Sequence, residues 1–116
     1  MRFSSSLVFL FVEDLDRSSA FYELLGLELV LDQGSCRSFG DGGAMMVGLC
    51  GGRTPSPDGL IFTLVSDEVE RVCSELARRG VEFEEPPKYS PEYDITHAFL
   101  RDPDGYLVEI QRFESS

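Results

Sequence analysis

The sequence predicts an α+β domain made of two copies of one unit: strand, helix, then three strands. Three observations carry this reading. Apolar runs of strand length alternate with two helical patterns in the order βαβββ-βαβββ. Val12-x-Asp14 recurs as Val65-x-Asp67, 53 residues on, and Gly26 recurs as Gly80, 54 residues on. Self-similarity at a fixed offset marks a repeated supersecondary unit. The chain then closes on a hairpin, His97 to Gln111, around the turn Asp102-Pro103-Asp104-Gly105. There Pro fixes φ, and Gly supplies the φ > 0 that closes the turn.

The run Leu7–Val12 is short, apolar and bounded by Ser and acidic residues, so it reads as the first strand. Asp14 and Asp16 offer N-caps for a helix near residues 17–25. Its apolar residues, Ala20, Phe21, Leu24 and Leu25, fall at helical spacing, and Gly26 ends it. Strands follow at Leu27–Leu31, around Arg37–Phe39 and at Ala44–Leu49, punctuated by Gly42-Gly43 and Gly51-Gly52.

The second half restarts with a strand at Leu60–Val65. Asp67, with Glu70 three residues later, reads as a capping box opening a helix over 67–79. Val69, Val72, Cys73, Leu76 and Ala77 give that helix its apolar face. Arg78 and Arg79 complement its dipole in the last turn, and Gly80 ends it. Val81–Glu84, Ala98–Arg101 and Leu107–Phe113 complete the second copy, and Glu82, Glu84 and Glu85 read as a solvated edge.

Size and charge bound the function. A chain of 116 residues is one domain, 1–116, with modules at about 1–53 and 54–116. Ten Lys and Arg against 21 Asp and Glu give a net charge of −11. Nucleic-acid binding, which needs a basic surface, is excluded as an expectation. The charge favours solubility and attracts cationic small molecules. Cys36, Cys50 and Cys73 are odd in number and lack CxxC spacing, so neither a disulfide framework nor a zinc site is expected; Cys73 reads as core. The first apolar run is too short to span a membrane and has no cleavage site. A cytoplasmic protein with reduced thiols and no membrane partner is the expectation.

Chemistry concentrates in the closing hairpin. Glu109 is a carboxylate inside an apolar strand, and it must face water, a partner or a metal. His97 is the sole histidine. It shares a strand face with Phe99 and Arg101 by the period of two. Hairpin pairing brings it near Glu109 or Gln111. A His–Glu pair serves as a general base or as a clamp on a polar ligand group. The plainer alternative is a histidine satisfied by a carboxylate in a polar wall.

The stretch Val12-Glu13-Asp14-Leu15-Asp16-Arg17-Ser18-Ser19-Ala20-Phe21-Tyr22-Glu23-Leu24-Leu25-Gly26-Leu27, with the Asp-Pro-Asp-Gly hairpin and its Glu109, resembles the vicinal oxygen chelate superfamily. That group contains the glyoxalases, bleomycin-resistance proteins, extradiol dioxygenases and fosfomycin-resistance enzymes. The resemblance covers nearly the whole chain. It implies two βαβββ modules curled as a mixed sheet around one concave pocket, and a homodimer.

In metal-dependent members the resemblance implies ligands at set positions. The first-strand position is Leu7 here. The second-half position is Gly59 or Leu60, and the fourth-strand region is Met45 to Leu49. Glu109 alone matches. One carboxylate does not hold a divalent ion tightly, since Zn, Ni, Mn or Fe sites take three or four protein donors. No metal or other cofactor is therefore expected. A divalent metal held atypically by His97 and Glu109 is the lesser alternative.

The expected ligand pocket comprises Leu7, Phe9 and Phe11 as an apolar floor, with Tyr89, Tyr93, His97, Phe99, Arg101, Glu109 and Gln111. Lys88 to Asp94 reads as a polar loop at the pocket mouth whose two Tyr stack on a flat ligand. Met45 or Met46 adds adaptable apolar surface. Two functions follow. One is a metal-free binding protein of the bleomycin-resistance type that sequesters a small, partly aromatic molecule. The other is a metal-dependent lyase, isomerase or dioxygenase acting on a substrate with vicinal oxygens, with His97 and Glu109 as its catalytic residues.

Overall fold

The computed structural model describes residues 1–41 and 45–115, with Met45 described by its backbone only. Gly42, Gly43 and Ala44, read above as a turn and the start of a strand, lie outside the described residues. The chain divides into two compact units, Met1–Ser56 and Pro57–Ser116.

In the first unit the order is β1 (Ser6–Phe11), α1 (Leu15–Leu24), β2 (Glu28–Asp32), β3 (Cys36–Gly40) and β4 (Met45–Cys50). Its sheet runs β1-β4-β3-β2. β1 pairs with β4 in parallel, and the other pairs are antiparallel. Leu10, Val12, Tyr22, Leu27, Phe39, Val47 and Leu49 are buried.

Asp14, not Asp16, caps α1: its side chain accepts from the Arg17 backbone N–H at 3.1 Å. The helix closes as a Schellman turn. Gly26, at φ 95°, donates to the Glu23 carbonyl, and Leu27 donates to that of Tyr22. Its buried face differs from the expected one. Ser18, Ser19 and Tyr22 point inward, while Ala20 is exposed and Phe21 and Leu24 are half-covered. Two serines bring the helix close to the sheet, and Ser19 pays the polar cost by accepting from the Arg37 guanidinium at 3.1 Å.

The cysteines overturn a further expectation. Cys36 and Cys50 sit opposite each other on β3 and β4, with Cα atoms 4.2 Å apart, and form a disulfide. The two residues lie 14 apart in sequence, and only the hairpin register brings them together. Cys73 is buried and free as expected, and burial pushes its thiol up to about 11.

The second unit repeats the plan with β5 (Ile61–Val65), α2 (Val69–Arg78), β6 (Phe83–Ser90), β7 (Ile95–Arg101) and β8 (Leu107–Phe113). The sheet order β5-β8-β7-β6 is the first unit's order shifted by four strands. Thus the βαβββ repeat read from the sequence is present twice. Val69, Cys73 and Leu76 bury the inner face of α2.

The capping box does not form. Glu68 stands at the N-cap without a side-chain bond, and its own N–H donates to the Ser66 hydroxyl at 3.1 Å. Glu70 is drawn instead to Arg112 of β8, at 2.6 Å. Strand β6 also differs. It runs to Ser90, so Lys88, Tyr89 and Ser90 are strand rather than loop. Pro86 and Pro87 concealed it; as an edge strand β6 tolerates prolines that a central strand would not. A register shift in the β6–β7 pairing, between Glu85 and Lys88, spans them.

The closing turn matches its chemistry. The Asp102 carboxylate accepts from the Asp104 and Tyr106 backbone N–H groups at 2.9 Å each, and Gly105 adopts φ 90°. No helix among the described residues is long and apolar enough to cross a membrane.

Candidate functional site

The second sheet collects the polar residues onto one face. Thr63 on β5 is in register with Glu109 on β8, which is in register with Phe99 on β7. His97 is in register with Gln111, and Lys88 of β6 with His97. Residues opposite each other in a ladder share a face. Ile61, Thr63, Val65, Leu107, Glu109, Gln111, Phe113, His97, Phe99, Arg101 and Lys88 therefore look the same way. Val108 and Ile110, on the opposite face, are buried with α2's side of the unit.

Glu109 is held from both sides. The Thr63 hydroxyl donates to its Oε1 at 2.7 Å, and His97 Nδ1 meets its Oε2 at 2.6 Å. The His97 and Glu109 side chains are 20% and 11% exposed. A carboxylate only accepts, so the shared proton belongs to His97 Nδ1. In the neutral imidazole this leaves Nε2 as a lone-pair acceptor, the pattern of an oriented histidine base. The Phe99 ring fixes the imidazole edge-on, with centroids 4.9 Å apart.

The remaining anticipated residues divide. Arg101 is occupied, donating to Glu84 at 3.0 Å and to the Gly105 carbonyl at 3.0 Å. Tyr89 is in register with Thr96, on the face opposite His97, and its hydroxyl donates to Asp94 at 2.7 Å. Tyr93 lies in the turn between β6 and β7 and is exposed. The sequence places Lys88 in a loop and not at the site, because the Pro86-Pro87 pair masks the strand that brings it opposite His97. The role of Thr63 was invisible because its link to Glu109 is a parallel pairing across 46 residues.

In the first unit Leu7, Phe9 and Phe11 do share a face of β1. The Phe9 ring lies over Gly48 of β4, where a Cβ would come within 2.4 Å of it. The Arg53 guanidinium stacks 5.0 Å from the Phe11 centroid. The Cys36–Cys50 bridge lies on this same face, next to Phe11 in register.

These residues do not compose the metal site that the resemblance implies. Leu7 has no donor atom and Gly48 is covered by Phe9, which leaves Glu109 as the one carboxylate among the implied positions. Among the described residues no three His, Cys, Asp or Glu side chains gather where they would hold one ion.

The family is decided by a match of residues 5–110 to the model of the Glyoxalase/Bleomycin resistance protein/Dioxygenase superfamily. The chain belongs to that superfamily. Solved structures share its fold. A glyoxalase/bleomycin resistance protein/dioxygenase from Nocardioides is 20% identical, with a TM-score of 0.81 over 100% of this chain and 87% of that one. TioX from Micromonospora sp. ML1 is 20% identical, with a TM-score of 0.78 over 96% and 99%. A lactoylglutathione lyase from Agrobacterium tumefaciens is 24% identical, with a TM-score of 0.75 over 93% and 92%. No curated protein matches the sequence. The superfamily thus spans proteins of different function on one fold, and the site rather than the fold must distinguish them.

Proposed function

We propose that this superfamily member is a metal-free small-molecule-binding protein that takes its ligand on the Thr63–Glu109–His97 face of the second sheet. The observation that carries this reading is the double engagement of Glu109. Its two oxygens already carry hydrogen bonds from Thr63 and His97, each worth about 1.5–3 kcal/mol at a charged group, and a metal there has to share or displace them. The ion gains few protein donors in return. A ligand meeting His97 Nε2 breaks neither bond. The exposed apolar residues Ile61, Val65 and Phe113 on the same face offer area to an apolar ligand body. We also propose a symmetric homodimer, the commonest closed assembly; light scattering measures its mass.

Elemental analysis of tag-free protein tests the metal-free reading. Substoichiometric transition metal is the expected result. About one equivalent of Zn, Ni, Mn or Fe per chain, lost in Glu109→Gln, overturns it in favour of a metal-dependent lyase, isomerase or dioxygenase. A thermal-shift screen in the presence of chelator tests binding itself, since a ligand raises the melting point by mass action.

A further inference from the structure

We infer that the His97 face selects ligands by a single hydroxyl on an aromatic body, and discriminates against amines and carboxylates of the same shape. The inference rests on the binding-protein reading above and names the ligand class for that site.

Three features define what fits. Glu109 fixes the Nδ1 proton, so in the neutral imidazole Nε2 asks for a hydrogen-bond donor. Lys88 stands opposite His97 across the β6–β7 ladder. It is exposed and has no ion-pair partner among the described residues. Cross-strand partners lie about 4.5–5.5 Å apart at Cβ, within reach of one ligand atom. Lys88 therefore asks the same ligand group for an acceptor. Gln111, opposite His97 on the other side, has an amide that donates as well.

A hydroxyl answers both demands, because one oxygen donates a proton and accepts through its lone pairs. An amine donates to Nε2 but sets its own positive or donor group against Lys88. A carboxylate accepts from Lys88 but turns a lone pair toward Nε2. An ether accepts and cannot donate. The other charges on this face do not serve the group. Arg101 is tied to Glu84 and Gly105, and Glu85 stands opposite Phe99 rather than His97.

The surroundings suit a flat ring. Phe99 packs edge-on to His97, and Ile61, Val65 and Phe113 are exposed on the same face. An aryl ring covers such residues at little conformational cost, and a phenolic hydroxyl donates more strongly than an aliphatic one. The net charge of −11 favours cationic ligands at long range. Lys88 reverses that preference at the point of contact.

Four probes with one ring and one differing group test the inference: 4-methylphenol, 4-methylanisole, 4-methylaniline and 4-methylbenzoate, the phenol being fully protonated at neutral pH. Their affinities are measured by calorimetry on chelator-treated protein. The expected result is that 4-methylphenol binds at least tenfold tighter than each of the others. The preference should fall to less than threefold in His97→Gln, and the margin over 4-methylaniline should shrink in Lys88→Met. Equal binding of all four overturns hydroxyl selection and leaves the binding-protein reading standing. Tightest binding of the aniline or the benzoate also overturns it, as does a preference that survives in both variants. Absence of binding by all four at millimolar concentration, where the thermal-shift screen does find ligands, rejects the aryl hydroxyl class alone. Absence in both experiments rejects the binding-protein reading with it.

Discussion

His97 Nδ1 lies 2.6 Å from Glu109 Oε2, and this contact decides which nitrogen of the only histidine is left to meet a ligand. The ring's identity as an acceptor is thus a property of β8, not of the strand that carries it. In Glu109→Gln the partner has both an oxygen and an amide to offer. The tautomer is then no longer dictated. Long-range ¹⁵N–¹H spectra at neutral pH should show the Nδ1–H tautomer in the parent and a mixture, or the Nε2–H tautomer, in the variant.

Thr63 completes the support for Glu109. Thr63→Val keeps the shape and removes the donor to Oε1. The half-orphaned carboxylate should cost about 1–3 kcal/mol of stability, read from urea unfolding. Thr63→Ser, which retains the hydroxyl, should recover most of it.

The Phe9 ring and Gly48 occupy each other's space. A methyl at position 48 falls within 2.4–2.5 Å of two ring atoms, so Gly48→Ala should destabilise by about 1–3 kcal/mol. The same substitution in a Phe9→Ala background should cost little. A double-mutant cycle reads the coupling directly, and additive losses would deny the contact.

Reduction of Cys36–Cys50 opens a short loop, so reduced protein or the Cys36→Ser variant should lose about 2–3 kcal/mol. Calorimetry with and without a dithiol reductant measures it. Cys73 should meanwhile resist alkylation in the folded protein at pH 8, since its buried thiol titrates at about 11.

Acid stability should depend on Arg112. Its hydrogen bonds hold the Glu70 and Glu114 carboxyls below the usual carboxylate range. Groups with a lowered folded pKa stabilise fully above their unfolded value and lose that contribution as pH falls through the folded one. Glu70→Gln should therefore unfold at lower urea than the parent at pH 6. The two curves should converge once both glutamates of the parent are protonated. A constant offset across that pH range would mean that the Glu70–Arg112 pair contributes no charge interaction.

Periodicity and turn chemistry made most of the fold legible. Val69, Cys73 and Leu76 announce α2, and Asp102 to Gly105 announce the last turn, because local sequence dictates both. The buried face of α1 differs from its apolar pattern because Ser18 and Ser19 look solvent-loving, and the partner that Arg37 gives Ser19 comes from another element. The sequence reading of β6 stops at Glu84, before Pro86-Pro87, since the sequence does not say which strands will be edges. The His97–Glu109 contact was legible because a hairpin makes it local. Thr63 was not, because its pairing with Glu109 spans 46 residues; Lys88 and the Cys36–Cys50 bridge were not, although each lies in a hairpin, because neither connection carries a turn signature that fixes its register as Asp102 to Gly105 does.

The glycine beneath Phe9 has a consequence for how such a site changes over generations. Strand β4, where the superfamily resemblance puts an additional metal carboxylate, cannot carry any side chain at position 48 while the ring lies across it. A single substitution toward glutamate there meets the ring before it meets an ion, and gains nothing until Phe9 is also replaced. The two positions should vary together among descendants of this sequence: glycine with an aromatic, or a side chain at 48 with a small residue at 9. A side chain at position 48 is then reached only by a paired step with an unfavourable intermediate, which works as a ratchet holding the glycine in place.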